Sequence, residues 1–379
     1  MGGRLRDLER GQISLQQLYF LLFTFILATT DIYMPHIVTV KAGRDGWLAV
    51  LLAVLEGAVA VLVIIPLGLR FRRQTLIGFS RQILGFWLGS LVGLFYIYNF
   101  VTHSSRQVWH VSELMVTAFL PTTPKVVFIA IMVVLAGSAV RRGLEVFTRV
   151  NDLLLPVGAF TVLLVGALVA KDLDLRNYLP VLERGWKPVI DGSLPLFGHV
   201  AQGYIILMLL PFVASVRGIY AWSFGTLGGL LALLGVGVMA IGVFGAEVTA
   251  RFPYPALELV RMINVRDFIQ HLEALMMLVW FGGIFLKYAI LLYMTSLAIA
   301  QWLGLRDYRP LVWPLGILTA ALSLLTPEVQ KVTEFFAKVF PGFALVLELV
   351  LPALLLAVAV LRGVREDGAP QPRRKPGGT

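Results

Sequence analysis

The chemistry open to this chain lies in a few polar side chains set inside long apolar runs. Four of them occur together in ILATTDIYMPHI: Thr29, Thr30, Asp31 and Tyr33, with Pro35 close behind to remove a backbone hydrogen bond. An ionised carboxylate is costly in lipid, so Asp31 should face protein or water, where it could receive a ligand ammonium. A position near the outer boundary, where Asp31 is merely solvated, accounts for it equally well. A second group lies in GSLPLFGHVAQGYIILMLLPF. Pro195, Gly198 and Gly203 should weaken the helix around Phe197, His199 and Gln202, and unwound backbone exposes N–H and C=O groups that a ligand can satisfy. A half-helix N-terminus there would favour a carboxylate. The plainer alternative is a kinked packing helix with close contacts at glycine.

The most specific pattern is Tyr96, Asn99, His103, Arg106, His110 and Glu113, whose spacings of 3, 4, 3, 4 and 3 put six polar residues on one helix face. Such a stripe lines an aqueous vestibule or packs against another polar helix; salt bridging of Arg106, for example with Glu113, competes with the first reading. Lys287 stands alone in LVWFGGIFLKYAILLYMTS. An ammonium at that depth needs a partner, or must snorkel to an interface, which is less easy from mid-helix. Glu56, Glu247 and Glu348 are further acids in apolar surroundings, and any of them could pair with Lys287 or carry protons. No HExxH, GxSxG, P-loop or GxGxxG is present, and the chain has no cysteine, so thiol catalysis and Cys-ligated metals are excluded. His103 and His110, seven residues apart, fit the stripe better than a zinc site. The expectation is a non-enzyme with no metal and no cofactor.

The elements that must position these residues are membrane helices. The chain is 58% apolar and 14% charged, with a mean hydropathy of +0.83, whereas soluble domains are about 45–50% apolar and about 25% charged. The surplus belongs in lipid, where a spanning helix takes roughly 20 apolar residues. The pattern predicts an all-α integral membrane protein with ten transmembrane helices at 14–40, 45–69, 83–119, 124–140, 150–170, 193–214, 220–247, 267–302, 309–326 and 339–361. Residues 1–13 form a short N-terminus that lacks a cleavage signal, and the basic tail 362–379 is expected to be disordered. The net charge of +10 is explained by Lys and Arg in short loops rather than by nucleic acid, for which no reading motif is seen. With the N-terminus inside, 18 of the 32 Lys and Arg fall on the cytoplasmic side and 12 outside, so both termini are expected in the cytoplasm. The third and eighth helices are unusually long and the first and sixth are interrupted, which suggests an inverted repeat of five plus five helices, about 14–170 and 193–361, with a midplane site at the broken helices.

Several segments, in order, carry a resemblance: ISLQQL, GRDGWLAVLLA, ILGFWLG, LPTTPK, AVRRGLEVFTRVND, LPVLERGWKPVIDGS, MLLPF, YPALELVRMI and GGIFLKYAILLY. Over about 10–361 the chain resembles the B subunits of bacterial spore germinant receptors, the endospore germination permease family within the amino acid–polyamine–organocation superfamily. The resemblance implies a permease fold of the LeuT-like inverted-repeat type, the spore inner membrane, assembly with A and C subunits, and recognition of a germinant such as an amino acid, sugar or nucleoside. It also implies that Lys287 stands where sodium-coupled members of the fold hold a cation. The chain departs from its relatives at His199, where they often carry Glu. A proton-coupled amino acid transporter is the alternative function, and a scaffold that anchors the other subunits is a third.

Overall fold

The structure is a computed structural model, which describes residues 8–263, 272–326 and 329–366. Among these residues it is helical throughout, with one isolated bridge between Ile13 and Val213. The longer helices are α1 (Leu15–Ala42), α2 (Gly46–Arg70), a short α3 (Leu76–Leu84), α4 (Phe86–Leu114), α5 (Lys125–Arg141), α6 (Leu144–Val169) and α7 (Trp186–Val200). After a 3-10 stretch and the single turn α8 (Ile206–Leu209) come α9 (Ile219–Phe244), α10 (Ala246–Thr249), α11 (Pro255–Met262), α12 (Leu272–Leu303), α13 (Arg309–Leu324), α14 (Val329–Lys338), α15 (Phe340–Ala344) and α16 (Leu351–Leu361).

Six segments among the described residues are long and apolar enough to cross a membrane, and the first of them, Leu15–Arg70, is two helices joined at the turn Gly43–Asp45. α4 is long enough at 29 residues, but its polar stripe lowers its apolar character. Large apolar side chains such as Leu55, Leu62, Leu153 and Phe160 point outward, as a lipid-facing belt requires. The interior is built around α1 and α12. α12 packs on α4, α1, α6 and α5, and α1 packs on α7, α9, α12 and α6. From Leu286 to Ala298 every residue of α12 is buried, so this helix is surrounded by protein on all sides.

Several expected boundaries move, each for a local reason. The first helix is not broken: α1 runs unbroken through Pro35, and Thr39 Oγ1 donates to the Pro35 carbonyl (2.7 Å), within an otherwise regular helix. The expected helix 83–119 is divided at Gly85, whose φ of +85° only glycine adopts without strain, so α3 folds back on α4. The fold-back is tight: a Cβ on Gly89 would stand 2.4 Å from the Arg81 Cα. α4 then ends in a π turn, Met115–Phe119. α6 begins at Leu144 rather than 150 and α7 at Trp186 rather than 193, because both helices continue past their apolar stretch into water-facing turns bearing Glu145 and Lys187. α9 stops at Phe244 before Gly245 (φ +76°), which leaves Glu247 exposed in α10 and removes it from the interior acids. Of the basic tail, Arg362 is docked on the Ile83 carbonyl (2.5 Å) and Glu366 accepts from the Arg73 amide (3.0 Å), so 362–366 is ordered. Residues 367–379 and the expected start of the eighth helix, 267–271, lie outside the described residues.

Candidate ligand site

The interrupted sixth helix is where the sequence placed it, and its break takes a definite form. α7 gives way at Ala201 to a 3-10 turn, Ala201–Ile205, followed by α8 and a second 3-10 turn, Leu210–Phe212. A narrow apolar cavity beside the break is lined by Tyr19, Ile26, Gly57, Val200, Gly203 and Leu230, and a Cβ on Gly203 would meet nothing within 4 Å. The opposite holds at Gly198. There a Cβ would lie 2.8 Å from the Phe340 ring and 2.9 Å from Ala344 Cβ, so Gly198 admits α15 and not a ligand.

Lys287 is the centre of the polar interior. It is fully buried, and its Nζ donates to Thr29 Oγ1 on α1 (2.9 Å) and to Gln202 Oε1 in the 3-10 break (2.9 Å). The ammonium also lies 4.9 Å from the centre of the Phe25 ring. Three of the expected site residues are thereby joined across α12, α1 and the break, and snorkelling is ruled out. Glu348 is a second buried ionisable side chain, at 2% exposure, in the π turn Leu345–Val350 that leads into α16. Its Oε2 has no hydrogen-bond partner among the described residues. Glu348 was legible only as a lone acid in LVLELVLPALLLA; nothing in the sequence assigned it to Lys287 rather than Glu56, which instead accepts from Ser193 (3.1 Å).

The stripe on α4 does face inward. Tyr96, Asn99, His103, His110 and Glu113 are buried. It is packed against protein, however, rather than opening along its length into a vestibule. Tyr96 donates to the Leu347 carbonyl in the π turn (2.9 Å), Tyr204 donates to Asn99 (2.9 Å), and His103 packs edge-on to Phe25 at 5.8 Å. Glu113 pairs with Lys125, not with Arg106. Arg106 faces Phe335 at 5.7 Å, and its Nε is without a hydrogen-bond partner among the described residues, as is His110 Nδ1. Tyr33 stacks obliquely on His110, 4.5 Å between ring centres, which places it on this stripe.

The other expected residues stand apart. Asp31 is buried, so the solvated position is excluded, but its contact is the Trp280 indole (Nε1 to Oδ2, 3.2 Å) rather than Lys287. It borders a separate, mainly apolar cavity with Thr24, Leu154, Trp280 and Gly283. Thr30 spends its hydroxyl on the Ile26 carbonyl of its own helix. Phe197 is a buried packing residue, and His199 bonds its own-turn Pro195 carbonyl (3.1 Å) while packing on Phe336 and Phe340. Among the described residues no three His, Asp or Glu converge as a metal site.

A bundle of apolar helices closed around a buried lysine and its hydrogen-bond acceptors is a multi-pass membrane protein. The sequence model described as spore germination protein, that of the spore permease family, matches residues 12–331, and the chain belongs to this family. It is 26% identical over 373 residues to spore germination protein KB of Bacillus subtilis, covering 95% of this chain and 98% of that one. It is 24% identical to spore germination protein YndE of the same organism, over 93% of this chain and 97% of that one, and 23% identical to its spore germination protein A2, over 87% and 90%. Membership places the chain among permease-like membrane proteins of spore germination and not among enzymes.

Proposed function

We propose that this chain is the membrane-embedded, ligand-sensing subunit of a germinant receptor in the spore inner membrane, acting with A- and C-type subunits. The observation that carries the reading is the buried Lys287 ammonium held between Thr29 and Gln202 where the broken helix meets α1 and α12. Such a cluster, with Arg106 and Glu348 as further ionisable groups of the interior, offers a small polar nutrient acceptors and donors that a bound molecule can exchange with. Arg106 and Lys287 favour a carboxylate; Glu348 favours an ammonium or hydroxyls. The helix order, with α1 packed on α7 and long helices α4 and α12 in corresponding places, supports the five-plus-five inverted repeat, and the Lys and Arg distribution supports cytoplasmic termini.

The test is thermal-shift screening of the purified protein against amino acids, sugars and nucleosides, followed by uptake of the responding compound into proteoliposomes. A compound that raises the midpoint in a saturable way, loses its effect in Gln202→Ala and is not accumulated fits a sensor. Concentrative uptake driven by a proton gradient would make the chain a proton-coupled transporter instead. A protein that responds to no compound and yet is required with its partner subunits would be a scaffold.

A further inference from the structure

The segment between α13 and α15 was read in the sequence as a loop between membrane helices. It contains α14, a ten-residue helix whose described side chains divide by face. Lys338 and Glu334 pair with each other on the outer face (2.5 Å). Phe335 and Phe336 turn inward. The Phe336 ring, 7% exposed, is wedged between two helices: its centre is 5.6 Å from His110 on α4, 5.6 Å from His199 on α7 and 5.0 Å from Phe340. Beside it Phe335 covers the Arg106 guanidinium. The rings therefore cover one end of the polar stripe and join the stripe to the broken helix.

What they cover is under-satisfied. Arg106 Nε and His110 Nδ1 are both buried without a hydrogen-bond partner among the described residues. A phenyl ring cannot supply one, and a buried polar atom without a partner is a standing desolvation cost. Such atoms take their partner from water, an ion or a bound molecule that reaches them.

We propose that Phe336 is a displaceable aromatic plug that controls entry to the polar interior and limits the size of what enters. The proposal rests on the ligand-site reading above. An occupant carrying a carboxylate replaces the ring between His110 and His199, gives Arg106 and His110 their missing partners, and leads inward to Lys287 and Glu348. Ligands bulkier than the phenyl ring are refused unless the plug is shortened.

The cysteine-free chain allows a test that needs no known ligand. His103→Cys puts a thiol one turn inside Arg106, and thiols react with a charged, water-soluble methanethiosulfonate only where water reaches them. With Phe336 in place the reaction is slow; adding Phe336→Ala speeds it at least tenfold, and adding Phe336→Trp does not. An unchanged rate in a Phe336→Ala protein whose unfolding midpoint stays within a few degrees of its parent would show the ring to be ordinary packing and overturn the proposal. Faster labelling together with an absence of any ligand-induced thermal shift would uphold the plug as a barrier and remove the ligand-site reading on its own.

Discussion

Lys287 and Glu348 are both buried, and a pair of opposite charges there would offset the cost of burying either one alone. Removing one partner of a buried ion pair costs about 3–5 kcal/mol, because the remaining charge is left in a low-dielectric interior. Lys287→Met should therefore lower the unfolding midpoint sharply, while Lys287→Met combined with Glu348→Gln should recover most of the loss. If the double variant is no more stable than the single one, the two charges do not depend on each other. Lys287→Arg should restore little, since the planar fork does not fit between a Thr hydroxyl and a Gln carbonyl shaped for a single ammonium. If Lys287 takes the place of a coupling cation, as proposed from the resemblance, ligand affinity should be equal in sodium and choline buffers, and binding that requires sodium would remove this role from Lys287. At this scale the sequence was half legible. An isolated ionisable residue in an apolar run stands out, because lipid tolerates it only for a reason. Its partners do not stand out: Thr29 lies 258 positions away and Gln202 lies 85 positions away, and no local pattern encodes which of several acids or amides a tertiary fold will deliver.

At the scale of elements, glycine and proline gave the right places but not always the right consequences. Pro35 and the polar residues before it suggested a break that α1 does not have, whereas Pro195, Gly198 and Gly203 preceded a real one. The difference lies in the neighbours. α1 is held on four sides by long helices, and that packing keeps it regular. α7 also packs on the long helices α1 and α2, but its end meets the short α15 and its 3-10 continuation meets the π turn. The two glycines of the break have opposite jobs, and this can be measured. Gly198→Ala forces a methyl group against Phe340 and Ala344 and should cost about 1–3 kcal/mol by overpacking. Gly203→Ala meets open space and should be neutral or stabilise by about 0.4–1 kcal/mol through the unfolded chain. Equal losses of midpoint at both positions would mean that backbone freedom, not the approach of α15, explains Gly198. The polar stripe was legible in full as a helix face, since a 3–4 spacing needs only helical geometry. What covers it was not legible, because the Phe335 and Phe336 pair belongs to a segment far away in sequence, whose short amphipathic pattern does not say which surface it packs on.

At the scale of the molecule, an all-helical membrane chain could be read from composition, and six segments among the described residues are long and apolar enough to cross a bilayer. How the ends are tied could not. The polar segment before α1 is laced into the bundle. Ile13 donates its amide to Phe212 (2.9 Å) and accepts from Ala214 (3.0 Å), so the chain start pairs with the end of the interrupted helix. Gln12 donates its amide to Glu145 (3.0 Å), and Gln17 donates to Asp152 (2.7 Å) on α6. The anchor is Glu9, only 4% exposed. Its carboxylate accepts from the Gly11 amide (2.7 Å), from the Leu144 amide at the start of α6 (3.3 Å) and from the Tyr308 hydroxyl ahead of α13 (3.0 Å). A carboxylate at a helix N-terminus also meets the positive end of the helix dipole. One side chain thus ties together three parts of the fold that the membrane alone does not align. Glu9→Ala should leave the Leu144 amide at the helix end without its acceptor, at about 1–3 kcal/mol, while the Tyr308 hydroxyl keeps the Val140 carbonyl (3.2 Å), and should free the N-terminal segment from the bundle. Limited proteolysis reads the second effect: cleavage within residues 8–14 should become rapid in Glu9→Ala and stay slow in Glu9→Gln, which keeps an acceptor oxygen in place. Tyr308→Phe, which removes one of the three donors and no acceptor, should show an intermediate loss of midpoint and no new cleavage. If Glu9→Ala is cut no faster than the parent protein, the segment is held by the pairing of Ile13 with the chain around Val213, and Glu9 is only a local cap for α6.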